Sequence, residues 1–156
     1  MSGRLDPADV ERVARSFAAM PLFARLSDRQ RRALAEKSTT HSYGAGRTVV
    51  RQGDTSMALY VVLSGAVRIE REDESGGRTP VAARVAENGF FGEMGLIDDE
   101  PRSATVTAIE DTECALLAKW DFQNNVRIDP DIAIALMPVL NARIRDLTAR
   151  LAATPR

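Results

Sequence analysis

Glycine, a carboxylate and a guanidinium crowd into one otherwise apolar stretch, Gly89-Phe90-Phe91-Gly92-Glu93-Met94-Gly95-Leu96-Ile97-Asp98-Asp99-Glu100-Pro101-Arg102-Ser103-Ala104-Thr105-Val106. Glycines at 89, 92 and 95 permit positive φ and let a ligand approach the main chain closely. Gly92 to Leu96 can form one short helical turn whose free N–H groups would cradle an anion. Glu93, acceptor-only when ionised, suits a hydroxyl donor such as a ribose 2′-OH. Arg102 follows the stiff Pro101 and runs straight into a β-prone stretch. Its planar, permanently charged fork matches the oxygens of a phosphate.

A ligand with a phosphate beside a sugar hydroxyl would satisfy both residues, and a cyclic nucleotide does so compactly. The competing reading makes Arg102 and Glu93 a surface ion pair and the glycines simple turns.

Other chemistries are thinly provided for. The single histidine, His41, rules out a metal site built from clustered His ligands. A Cys-His or Ser-His pair could only pass through His41, which lies in Thr39-Thr40-His41-Ser42-Tyr43 without a nucleophile-elbow context and reads as a half-exposed strand residue. The one cysteine, Cys114, sits in an apolar run and reads as a small buried hydrophobe; no intrachain disulfide is possible. These features fit a reducing cytoplasm. With 21 basic and 22 acidic residues the net charge is -1, so the overall field suggests no nucleic-acid partner. No apolar run approaches a membrane span and no signal-peptide core is visible. A chain of 156 residues suits one domain with a real core.

The segments that must position the glycine-rich stretch change texture twice. Asp6-Pro7 reads as a helix cap with proline at the first position, opening a helix over Pro7 to Ala19. Ser27 with Gln30 three residues on is a capping-box pattern, predicting a helix from about Asp28 to Lys37. From Thr40 to Lys119 come short β-prone runs: Thr48–Arg51, Ala58–Leu63, the alternating Ala66–Arg71, Val81–Val85, Ala104–Ala108 and Cys114–Ala118. Glu72 to Thr79, with Gly76-Gly77, reads as a mobile polar loop. The set suggests a sandwich, jelly roll or small barrel, and no βαβ alternation is present. Helical character returns over Trp120–Val126. Asp129-Pro130 then repeats the cap-plus-proline signal before a long helix running towards Ala153, which Pro138 should kink or interrupt. Leu140, Ile144, Leu147 and Leu151 form a short heptad seam that could pack on the domain itself or pair two chains.

The run Phe91–Leu96 followed by Pro101–Val106 closely resembles the phosphate-binding cassette of the cyclic nucleotide-binding domain family, of the catabolite activator, kinase regulatory-subunit and cyclic-nucleotide-gated channel type. Pro21-Leu22-Phe23 before a helix, Gly53-Asp54 after a strand and Tyr60–Val67 fall in the same order as in that family, so the likeness runs from about Pro21 to Leu147. It implies a mainly β fold: a jelly-roll-type β-roll over about 39–119, an N-terminal helical bundle over about 1–38, and C-terminal hinge and lid helices over 120–153, all one domain of residues 1–156. By position it implies that Glu93 binds the ribose 2′-OH, Arg102 the cyclic phosphate and the Gly92 backbone the sugar-phosphate. Ser103 would add a hydroxyl to phosphate or purine. Arg143 stands where a lid residue would meet the base, with Arg145 and Asn141 as rivals.

The expected function is therefore a non-catalytic cyclic nucleotide receptor that draws its C-terminal helix over the ligand. The resemblance favours cAMP over cGMP, because guanine-preferring relatives more often carry threonine where this chain has Ser103. No cofactor beyond the nucleotide is expected; the partners would be a second copy through the C-terminal helix or an effector protein. The alternative is a scaffold or dimerisation module with a vestigial pocket. A helix-turn-helix transcription factor is disfavoured, since few residues follow Leu151, and Met1 argues mildly against an excised fragment.

Overall fold

The computed structural model describes residues 3–154; the outermost two positions at each end of the expected 1–156 span, Met1 among them, lie outside it. Helix α1 (Pro7–Ala19) starts where expected, with the Asp6 side chain accepting from the Asp9 amide. A 3-10 turn at Pro21–Phe23 leads to α2 (Asp28–Glu36), whose capping box is complete: Ser27 and Gln30 exchange side chain-to-backbone hydrogen bonds at 3.1 and 2.9 Å.

The described residues hold nine strands, and every pairing between them is antiparallel. They are β1 (Gly3–Arg4), β2 (Thr39–Tyr43), β3 (Thr48–Val50), β4 (Ala58–Ser64), β5 (Val67–Glu72), β6 (Arg78–Val85), β7 (Phe90–Phe91), β8 (Thr105–Ala108) and β9 (Thr112–Ala118). One sheet has the order β1-β2-β9-β4-β7 and the other β3-β8-β5-β6. The two sheets with helices at both ends form the jelly-roll arrangement expected from the strand pattern.

Strand β4 explains its own continuous apolar sequence, because both of its faces are covered. Leu59, Val61 and Leu63 join a core cluster shared with the helices, while Ala58, Tyr60 and Val62 join the cluster between the sheets. The helix-side cluster contains three phenylalanines in sequence of contact: Phe17 meets Phe23 edge-on at 5.2 Å, and Phe23 stacks on Phe122 at 6.0 Å. Each such pair contributes about 0.5–1.5 kcal/mol beyond its buried area.

Several details differ from the sequence expectation or refine it. The polar loop is shorter and organised: β6 begins at Arg78, and the Asp73 carboxylate accepts from the amides of Ser75 and Gly77 and from the Ser75 hydroxyl. These bonds hold its carboxyl below the usual range. Helix α3 (Lys119–Ile128) is followed by α4 (Asp131–Ala153), which starts one residue later than the cap signal suggested; Asp129 still accepts from the Asp131 amide at 3.2 Å. Pro138 does not interrupt α4, which continues for 15 further residues after it. Its ring sits on an exposed side of the helix, where water can serve the carbonyl left without a partner. The heptad seam divides: Leu140 packs on the domain's own core, whereas Ile144, Leu147 and Leu151 are exposed. No helix among the described residues is long and apolar enough to cross a membrane.

Candidate functional site

The glycine-rich stretch wraps one end of the roll. Phe90 and Phe91 pair with Val61 and Tyr60 of β4, and the rings of Phe91 and Tyr60 stack at 4.8 Å. Gly92 then takes φ 83°, a left-handed conformation that ends the strand. A Cβ at this position would collide with Arg102 Nη1 and lie 3.1 Å from the Ala58 carbonyl oxygen. Glycine is therefore demanded twice, by backbone angle and by the close approach of the guanidinium. The 3-10 turn Glu93–Leu96 follows, and its last residue, Leu96, plugs into the helix-side core.

Arg102 is held on every side. Its amide donates to the Asp54 carbonyl at 2.7 Å and its carbonyl accepts from the Gly53 amide at 2.9 Å. Its Nη2 donates to the Ala58 carbonyl at 2.8 Å, and its guanidinium carbon lies 5.5 Å from the centroid of the Tyr60 ring. The residue is only 8% exposed. Burial pulls its pKa below the usual guanidinium value, partly opposed by Tyr60, and an arginine remains cationic at neutral pH regardless. Among the described residues no carboxylate pairs with it: the Arg102–Glu93 ion pair of the competing reading does not form. A buried cation facing one neutral carbonyl and an aromatic ring is incompletely compensated, and such a group is suited to an anion.

In front of Arg102 opens a cavity of about 410 Å³, within the range of small-ligand sites. Gly92, Glu93, Arg102 and Ser103 all line it. The structure thus brings together four of the five residues singled out by the sequence. Arg143 does not line the cavity; it reaches the rim from α4, its Nη1 lying 3.1 Å from the sulfur of Met94, itself a lining residue. Its rivals Arg145 and Asn141 are exposed.

The sequence missed several supporting groups. Tyr60 beneath Arg102 and the Ala58 carbonyl come from a distant strand and leave no local signal. Lys119 donates to the Asp98 carbonyl and, at 2.8 Å, to the Asp99 carboxylate, tying the loop before Pro101 to the first residue of α3. Arg71 also lines the cavity, and this one was legible: it shares strand parity with Val67 and Ile69, whose side chains face inward. His41, half-buried on β2, stands opposite Cys114 of β9. The pair is no nucleophilic dyad, because burial pushes the Cys114 thiol up to about 12.

The fold and cavity agree with what the chain is similar to. The model of the "Cyclic nucleotide-binding domain" matches residues 40–129, more than half of the sequence. The chain belongs to the cyclic nucleotide-binding domain family. The Cyclic AMP receptor protein of Thermus thermophilus is 38% identical to it over 109 residues, covering 70% of this chain and 50% of that one. The regulatory subunit of the cAMP-dependent protein kinase of Yarrowia lipolytica is 35% identical over 104 residues, covering 67% of this chain and 27% of that subunit. The chain therefore spans half or less of the length of these curated relatives. Among solved structures, the N-terminal domain of a transcriptional regulator from Streptomyces coelicolor A3(2) superposes with a TM-score of 0.77 at 30% identity, covering 87% of this chain and 94% of that one. In this cyclic nucleotide-binding domain the matched residues include the whole cavity-forming stretch from Phe90 to Ser103.

Proposed function

We propose that this chain is a regulatory cyclic nucleotide receptor with no catalysis of its own. The observation that carries the reading is Arg102, a buried cation without an ionic partner among the described residues, at the wall of a nucleotide-sized cavity. The cyclic phosphate takes the guanidinium, and Glu93 accepts from the ribose 2′-OH. The Gly92 backbone lies along the sugar-phosphate, and the Ser103 hydroxyl meets the phosphate or the purine. Arg143, already at the rim through Met94, caps the base when α4 closes. Ser103 is the feature that favours cAMP over cGMP. Signalling requires the nucleotide to bind the closed arrangement more tightly than the open one.

A cytoplasmic setting suits a cyclic nucleotide sensor. Its protein partner is a second copy of the chain or an effector, with no nucleic acid or membrane contact of its own. The exposed Ile144, Leu147 and Leu151 favour the second copy. They also support the rival reading, a dimerisation module whose pocket is vestigial.

Calorimetry with cAMP and cGMP tests the receptor reading. The parent chain is expected to bind and to gain thermal stability with ligand concentration. Arg102→Ala is expected to weaken binding on the order of a hundredfold, and Glu93→Ala less. No binding by the parent at near-millimolar nucleotide would leave the dimerisation module as the reading.

A further inference from the structure

Arg71, at the end of β5, is a group that the reading above does not use. The cavity has two unlike walls. The cassette side carries the polar groups already assigned. The side formed by the β3-β8-β5-β6 sheet is aliphatic, contributed by Val50, Ile69, Val81 and Val106, with Arg71 the polar side chain added to it. Arg71 Nε donates to the Ser103 carbonyl at 3.2 Å, so the head group is tethered beside the cassette. It makes no ion pair among the described residues, and its two terminal nitrogens remain available as donors.

With phosphate and ribose on the cassette, the aliphatic wall is left for the flat face of the base. An arginine fork at the edge of that wall can only donate. The O6/N7 edge of a 6-oxopurine presents two acceptors and meets the fork with two parallel bonds. The corresponding edge of adenine presents one acceptor and one amino donor, and the donor is set against the fork. We propose that Arg71 is a specificity-determining residue that reads the base edge and favours 6-oxopurine cyclic nucleotides relative to cAMP. This inference rests on the receptor reading and deepens it, and it works against the preference suggested by Ser103.

The experiment is competitive binding of cAMP, cGMP and cyclic IMP to the parent, Arg71→Ala and Arg71→Gln. Cyclic IMP carries the same O6/N7 edge as cGMP without its 2-amino group, so it isolates the contact. Arg71→Ala is expected to weaken cGMP and cyclic IMP about tenfold while leaving cAMP within twofold. Arg71→Gln, which can donate and accept together, is expected to shift the ratio further towards cAMP. Ligand-free melting of both variants checks the fold, and the glutamine variant retains a donor for the Ser103 carbonyl should the alanine variant not fold. Equal loss for all three nucleotides would make Arg71 a phosphate or structural contact and overturn the inference, as would no change in the ratio. Failure of the parent to bind any of the three would instead overturn the receptor reading itself, and this inference with it.

Discussion

The Lys119 ammonium donates to the Asp99 carboxylate at 2.8 Å across 20 positions of sequence. The same ammonium also serves the Asp98 carbonyl, and the Lys119 amide donates to the Met57 carbonyl at 2.9 Å. Lysine at the first residue of α3 thus fastens the loop that delivers Arg102, while its own backbone is fastened to the segment entering β4. The cassette and α3 share one attachment.

That attachment has a pH signature. The hydrogen bond from Lys119, and then its charge, hold the Asp99 carboxyl below its usual value of 3.8. A carboxyl depressed in the folded state stabilises that state above its ordinary pKa and loses the contribution as pH falls through the folded value. Asp99→Asn is therefore expected to melt slightly below the parent at pH 7, with the two curves converging as the pH falls below the ordinary carboxylate range. Thermal melts across pH 2.5–7 check this. Asp99 is fully exposed, so the difference should shrink with added salt. A gap that persists at acid pH and high salt would refute the ionic origin.

Gly92→Ala is expected to damage site and fold together. The left-handed backbone costs an L-residue about 1–2 kcal/mol, and the methyl group must displace the Arg102 guanidinium. A fall in melting temperature of about 3–6 °C is expected, with nucleotide affinity down more than tenfold. A variant that binds as tightly as the parent would show that Arg102 has a second productive position.

Leu147→Asp tests the exposed side of α4. Sedimentation over a range of concentrations is expected to show self-association of the parent and a loss of at least tenfold in that association for the variant. Nucleotide affinity should change little, since Leu147 is not among the residues lining the cavity. A monomeric parent would remove the second copy as partner.

Local signals were read well. Asp6-Pro7 and Ser27 with Gln30 form the caps their spacing implied, because a cap is decided within four residues. The apolar run over β4 and the alternation over β5 became strands with the expected faces. What failed depended on partners far along the chain or on a turn's own bonding. The turn beyond Glu72 is organised by the Asp73 carboxylate accepting from three donors, a bonding pattern that a polar, glycine-bearing composition does not disclose. Strand β1 exists through pairing with Thr39 and Thr40 and has too few residues to announce itself. Pro138 predicts a kink or an interruption; α4 is not interrupted, and Ile132 and Leu136 before the proline and Leu140 after it anchor it to the core.

At the site, glycine spacing and the Glu93 and Arg102 types were legible because the segment is contiguous. The Tyr60 ring, the Ala58 carbonyl and the Lys119 tether were not, because each arrives from another part of the fold. Arg143 was legible as a helix charge, but its contact with Met94 needed the packing of α4.

Burial of β4 on both faces makes it a party wall. Tyr60 packs into the inter-sheet core and carries the Arg102 guanidinium; its chain neighbours Leu59 and Val61 lean the other way, into the layer where the helices rest. The partition between the inter-sheet core and the helix-side core is one strand thick. A repacking of Tyr60 in the inter-sheet core is therefore one residue step from the helix-side core.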